Sequence, residues 1–290
     1  MPELSAEILE LIRITSTNLP AGVEEDLTKA MEAEDKGGAA HTALDSILEN
    51  IKLARRASTP ICQDSGTPLF FVTYPQGYRA NDLRQQIRKA TAAATHACYL
   101  RPNAVDPVSG VNSGNNLGDE HFPSIYFEET DGGLLTIDLM LKGGGCENVS
   151  AQYSLPDHRL QAERDLEGVR KVVLDAVFQA QGMGCAPGYL GVAIGGDRGS
   201  GYFLSKKALL RKPGQRHEDV VLADLEARIT LEANQLGIGP MGFGGKATIL
   251  GTSILKTHRL PASFFVTVSY MCWAYRQRRM VADSGTVVCE

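Results

Sequence analysis

Residues 58–68 read Ser58-Thr59-Pro60-Ile61-Cys62-Gln63-Asp64-Ser65-Gly66-Thr67-Pro68. Residues 41–57, apolar at three- and four-residue spacing, run into this stretch as a helix, and the apolar run 69–74 leaves it as a strand. Gly66 and Pro68 break regular structure between the two, so Cys62, Gln63 and Asp64 fall on a loop where one element ends and the chain turns. A soft sulfur ligand, a neutral amide and a carboxylate in three consecutive positions offer metal binding, substrate hydrogen bonding and proton handling together. Taken alone, the stretch also reads as a turn around a buried cysteine.

Toward the N-terminus, residues 5–15 and 24–34 repeat the helical spacing, and with 41–57 they make a helical cover. Toward the C-terminus, residues 81–100 read as an Ala-rich helix that ends at Arg101-Pro102, with Cys98 on it as a small buried side chain. Residues 101–123 are polar and aperiodic, and a connection of that length inside a domain is usually functional or mobile. Strands follow at 124–129 and 134–141, joined as a hairpin by Asp131-Gly132-Gly133. They exit through Lys142-Gly143-Gly144-Gly145-Cys146, where glycines let the backbone approach a ligand or simply form a tight turn.

The second half alternates helix and strand. A helix over 159–181 precedes Cys185-Ala186-Pro187, and a buried strand over 189–194 runs into Gly195-Gly196 and a helix over 200–210. That arrangement suits phosphate binding, but the spacing matches neither Walker A nor a dinucleotide fingerprint. A helix over 218–236 leads into the glycine-dense loop 237–246, and strands at 247–256 and 264–271 flank Thr257-His258-Arg259-Leu260-Pro261 before Cys272. With no internal repeat and no linker, the expectation is one α+β domain over residues 1–290, with a helical N-terminal cover, a mixed sheet and its site cysteines on loops.

Composition narrows the function. A net charge of -5, from 29 basic and 34 acidic residues, argues against a nucleic-acid surface, and the one basic group, Arg276, Arg278 and Arg279, is expected on a solvated or subunit face. The acidic N-terminus and the lack of any 18-residue apolar run point to a soluble cytoplasmic protein. In such a compartment six cysteines are no disulfide framework, so each must be core, reactive thiol or ligand. Cys98 reads as core and Cys289 as part of a fraying tail. Cys62, Cys146, Cys185 and Cys272 stand beside turns and strand ends, at intervals too long for zinc ribbons or ferredoxin-type runs. Residue types alone leave an iron–sulfur cluster, another metal and unliganded thiols all open.

Five motifs occur in one order: Cys62-Gln63-Asp64-Ser65-Gly66, Lys142-Gly143-Gly144-Gly145, Cys185-Ala186-Pro187, the loop 237–246 from Gly237 to Lys246, and Cys272-Trp273-Ala274. In these the chain resembles the α subunit of the class I fumarase and L-tartrate dehydratase family over nearly its whole length. The resemblance implies a [4Fe-4S] cluster held by three cysteines, Cys62, Cys185 and Cys272, with one open iron. It also implies Asp64 and His258 as catalytic groups, and Gln63, Arg101, Gly144 and Gly145 as substrate-binding ones. Lys246 could counter a carboxylate or cap the glycine loop. The implied reaction is reversible dehydration of a 2-hydroxy dicarboxylate, L-malate to fumarate, with tartrate dehydration to oxaloacetate as the near alternative. A β subunit carrying the rest of the active site is implied, in an α2β2 assembly. Two departures bear on this: Cys146 follows the glycines where many fumarases have serine, as in tartrate dehydratases, and Ala186 replaces the more usual proline. Were Cys146 a fourth ligand, a closed cluster would suit electron transfer or sensing instead.

Overall fold

The computed structural model describes residues 3–283 and 286–289. In chain order the first elements are α1 (Ser5–Thr17), α2 (Ala21–Ala33), α3 (Ala39–Ala57), β1 (Thr67–Pro75), α4 (Ala80–His96), β2 (Ser124–Thr130), β3 (Leu135–Lys142) and the one-turn α5 (Gly144–Asn148). Then come β4 (Ala151–Ser154), α6 (Leu166–Ala180), β5 (Gly188–Ile194), α7 (Arg198–Ala208), α8 (Val220–Gln235), β6 (Ile249–Lys256), β7 (Phe265–Met271), β8 (Gln277–Asp283) and β9 (Thr286–Cys289). They form two compact units: Met1–Pro20 with Asn50–Gly144 and Arg276–Glu290, and Ala21–Glu49 with Gly145–Tyr275. The α+β class expected from sequence holds, and the mixed sheet resolves into two, one in each unit.

The first unit carries the sheet β2-β1-β3-β8-β9. β1 and β3 bury long apolar runs on both faces and so take central places, whereas the half-exposed β2 is an edge. For that reason the expected hairpin does not form. β2 runs parallel to β1, from Leu69↔Ser124 to Pro75↔Thr130, and β1 lies between β2 and β3. On one face Ile8, Leu11 and Ile12 of α1 and Leu83 and Ile87 of α4 pack with Phe70, Val72, Ile137 and Leu139. That is the stripe which three- and four-residue spacing predicts.

β8 corrects the reading of the arginines. Its buried positions are Gln277, Met280 and Ala282, and it pairs with β3 from Met140↔Gln277 to Leu135↔Ala282. Arg279 is exposed and forks onto Asp138 at 2.7 and 2.9 Å, while the half-buried Arg278 donates to the Leu19 carbonyl. Arg276, expected on a solvated or subunit face, is 1% exposed, and the ladder continues through its backbone, the Leu141 N–H donating to the Arg276 carbonyl. Cys98 is corrected too. α4 stops at His96, so Cys98 lies past the helix at φ 62° and is exposed instead of packed in the Ala-rich face. Cys289, expected to fray, is half-buried on β9.

The second unit carries the sheet β4-β7-β5-β6. Val172, Val173 and Val177 of α6 and Leu222 and Ile229 of α8 cover one face, against Leu190, Val192, Val266 and Val268. α7 lies on β5 and β7 at near-backbone distance: a Cβ on Gly191 would stand 2.0 Å from the Ser205 carbonyl, and one on Gly201 2.4 Å from Thr267 Oγ1. Coverage on both faces explains why β5 reads as one uninterrupted buried run. α6 begins later than the periodicity suggested, because Asp165 caps it by accepting the Gly168 N–H.

Candidate active site

The first unit builds a carboxylate-centred loop. Ile61 is buried and anchors residues 58–66, its N–H donating to the Ser16 carbonyl and its own carbonyl accepting from Asn50 Nδ2. The chain then turns at Gly66, φ 79°, where a Cβ would fall 2.8–2.9 Å from the backbone of Leu141 and Lys142, so only glycine fits. This close crossing carries Asp64 to the triple-glycine motif. Asp64 Oδ1 accepts the Gly66 N–H at 3.0 Å and Oδ2 the Gly144 N–H at 2.7 Å, across 80 residues of sequence. Two of the motifs singled out in the sequence therefore meet at one side chain. Gln63 is exposed, Cys62 and Asp64 half-buried.

Arg101 joins them. Its N–H donates to Ser65 Oγ at 2.9 Å, and its guanidinium donates from Nη1 to the Gln63 carbonyl at 3.2 Å, with the rest of the fork exposed. Two residues that sequence reasoning missed hold this arrangement. Ser65, fully buried, also accepts from Asn103 Nδ2. Asn116, 1% exposed at φ 59°, accepts the Asn103 N–H and donates to the Arg101 carbonyl and Thr95 Oγ1. A buried asparagine with all its polar atoms engaged makes the aperiodic stretch after Arg101 an ordered loop.

The second unit gathers cysteine-bearing loops. Cys185 follows a 3-10 turn, Gln181–Gly184, at φ 55°, and Cys272 lies just past β7. The Trp273 N–H donates to the Cys185 carbonyl at 3.3 Å, and the Cys272 N–H to Cys146 Sγ at 3.2 Å. Between them sits the buried ring of Tyr270, which a Cβ on Gly184 or Gly188 would meet at 2.6 Å. Burial first, and then the neighbouring thiols of Cys146, Cys272 and Cys185, push the Tyr270 phenol above the ordinary tyrosine range.

The glycine-dense loop is held by acids. Oε1 of the buried Glu34 accepts the N–H groups of Lys246 and Ala247 at 2.7 and 2.9 Å, and Lys246 Nζ donates to the Ala33 carbonyl and to Asp35 Oδ1 at 2.7 Å. Of the two roles open to Lys246, the structure thus places it as the loop's tie. The Met241 N–H donates to the Ala186 carbonyl, linking this loop to the one bearing Cys185. His258 is exposed after β6, and its carbonyl accepts the Gly196 N–H. Gly195, φ 95°, packs so closely that a Cβ would stand 2.2 Å from the Thr257 carbonyl, which accounts for the glycine turn without a phosphate. Asp197 fills the N-terminus of α7 with its own carboxylate.

No cysteine is in a disulfide. Among the described residues, no three His, Cys, Asp or Glu side chains stand together as a ready metal-binding group. Cys62 in the first unit and Cys185 and Cys272 in the second each lie on a loop outside helices and strands, and thiolates are donors whose softness suits iron–sulfur chemistry.

Residues 5–281 match the family model described as fumarate hydratase (Fumerase). A provisionally named class I fumarate hydratase of Geobacillus stearothermophilus is 46% identical over 289 residues, covering 99% of this chain and 56% of that protein, so the chain spans about half its length. A provisionally named L(+)-tartrate dehydratase subunit alpha of Methanocaldococcus jannaschii is 34% identical, covering 95% of this chain and 96% of that one. The L(+)-tartrate dehydratase subunit alpha of Escherichia coli O157:H7 is 32% identical, covering 97% and 91%. Such matches over almost the whole chain agree with the meeting of the Cys62-Gln63-Asp64 and triple-glycine motifs at one carboxylate, and the chain belongs to the fumarate hydratase family.

Proposed function

We propose that the chain is the α subunit of a hydro-lyase that reversibly dehydrates a 2-hydroxy dicarboxylate, interconverting L-malate and fumarate. The observation that carries the reading is Asp64, a carboxylate held by two amides beside the Arg101 fork and the exposed Gln63 amide. Removing water from such a substrate needs a base for the carbon next to one carboxylate, and donors on that carboxylate as charge develops there. Asp64 takes the proton, and its two amide donors fix where its oxygens point. Arg101 and Gln63 bind the substrate carboxylate, Arg101 through its free edge. With the Gly144 N–H serving Asp64, Gly145 supplies the backbone donor to substrate, and His258 handles the second proton.

The thiolates of Cys62, Cys185 and Cys272 would hold a [4Fe-4S] cluster, and when bound it supplies an open iron as Lewis acid for the departing hydroxyl. Cys146 Sγ is engaged by the Cys272 amide, which favours three ligands over a closed, electron-transferring cluster. The higher identity to the relative named as a class I fumarate hydratase favours malate and fumarate over tartrate. Tartrate remains the second reading on the strength of Cys146 after the glycines.

The relatives named as α subunits support a β partner, and α2β2 is the assembly we propose. An apolar groove of about 590 Å³ in the second unit, lined by Ala39, Ala43, Ile47, Met241, Phe243 and Trp273, with Phe243 66% exposed, offers surface for one. No described helix is long and apolar enough to cross a membrane, and the cytoplasm is the proposed location. The test is anaerobic co-expression with a β subunit, then assays on L-malate, fumarate and both tartrate enantiomers with iron measured in the same sample. Turnover of malate that needs both iron and β is expected. A fully loaded cluster with turnover of none of the four would overturn the reading.

A further inference from the structure

Cys146 stands where its sulfur touches the backbone of both cysteine-bearing loops of the second unit. It is 3% exposed in the middle of the turn Gly144–Asn148. Sγ accepts the Cys272 N–H at 3.2 Å and lies 4.0 Å from the carbonyl of Gly184, the residue before Cys185, to which it donates. The backbone of Cys146 is fixed in turn: its carbonyl accepts from Ser150 Oγ at 2.8 Å, and Ser150 Oγ accepts the Tyr270 N–H at 3.2 Å, two residues before Cys272. The Trp273 N–H to Cys185 carbonyl bond closes a ring of contacts from Cys146 to Cys272, Trp273, Cys185, Gly184 and back to Cys146.

We propose that Cys146 is a positioning residue that holds the backbones of Cys185 and Cys272 in register for iron without binding iron itself; this rests on the cluster reading above. The contacts of one sulfur with the Cys272 amide and the Gly184 carbonyl tie together the two backbones from which the Cys185 and Cys272 side chains project. Groups that orient ligands commonly change metal retention about 10–100-fold when removed.

The experiment compares the anaerobically reconstituted wild-type chain with Cys146→Ser and Cys146→Ala. Iron and sulfide per chain, the electron paramagnetic resonance spectrum of the reduced cluster and the rate of iron loss to a chelator are measured. Amide exchange at Cys272 in metal-free protein is measured alongside. Expected for Cys146→Ala are wild-type iron content, a shifted spectrum, iron loss about tenfold faster and faster Cys272 exchange. Cys146→Ser, which keeps a donor and an acceptor, stays near wild type. Failure of both variants to load iron would make Cys146 a ligand and overturn the proposal, as would an alanine variant indistinguishable from wild type in spectrum, release and exchange. A wild-type chain that takes up no iron sinks the cluster reading itself. The exchange comparison then still decides whether the sulfur fixes the Cys272 backbone, and equal exchange overturns that as well.

Discussion

Asp64 is bound on both oxygens by backbone amides from opposite sides of the loop crossing at Gly66. Asparagine can accept only one of those N–H groups and would face the other with its own NH2. Asp64→Asn is therefore expected to lower turnover about 100-fold or more while iron per chain stays at the wild-type value; unchanged turnover would remove Asp64 from the chemistry. Glu34 makes the same kind of bond for structural ends. Glu34→Ala strips acceptors from the Lys246 and Ala247 amides, and urea denaturation should show a loss of about 2–4 kcal/mol. Sequence alone gave access to Asp64 because three chemically distinct residues stood together before a glycine. It gave none to Glu34, Ser65 or Asn116, whose partners lie on other elements and whose types are ordinary for a helix or a polar loop. Arg276 was misread for a related reason: charge argues for solvent only until the sheet register is known.

Among the elements, helices and buried strands were legible from spacing, whereas pairing was not. Strand order depends on which run is apolar on both faces, and in the first unit that moved β1 between β2 and β3. The charged start of β8 hid a strand whose buried positions are fixed by its partner, and the four-residue β4 is too short to show a period. Glycines divide by the same logic. Gly191 lies where α7 meets β5, and a methyl there would overlap the Ser205 carbonyl at 2.0 Å and Leu209 Cγ at 2.7 Å. Gly191→Ala is expected to cost about 3 kcal/mol or to prevent soluble expression, while Gly132→Ala, with nothing within 4 Å, should stay within about 0.5 kcal/mol of wild type by thermal denaturation. Equal midpoints for the two variants would refute the close α7–β5 contact.

At the scale of the whole molecule, chain order and compact units do not coincide. The first unit is assembled from three segments and the second from two. A cut between residues 144 and 145 thus yields neither. The fragment 1–144 lacks β8, leaving the β3 positions Leu135 to Met140 without their partner strand, and the fragment 145–290 lacks α2 with its buried Val23 and Leu27. Each fragment alone is expected to be aggregated or largely unfolded by circular dichroism, and co-expression should restore the native spectrum; a cooperatively folded 1–144 fragment would contradict the interleaving.

The late arrival of β8 also has a consequence during synthesis. Residues 67–142 emerge early with an apolar β3 that can pair with β1 on one side, but its neighbour on the other, β8, does not exist until residues 277–283 have been translated. Throughout that interval the nascent chain carries an unfinished sheet edge open to pairing with another chain, so slower translation of the second half of the message is expected to lower the soluble yield.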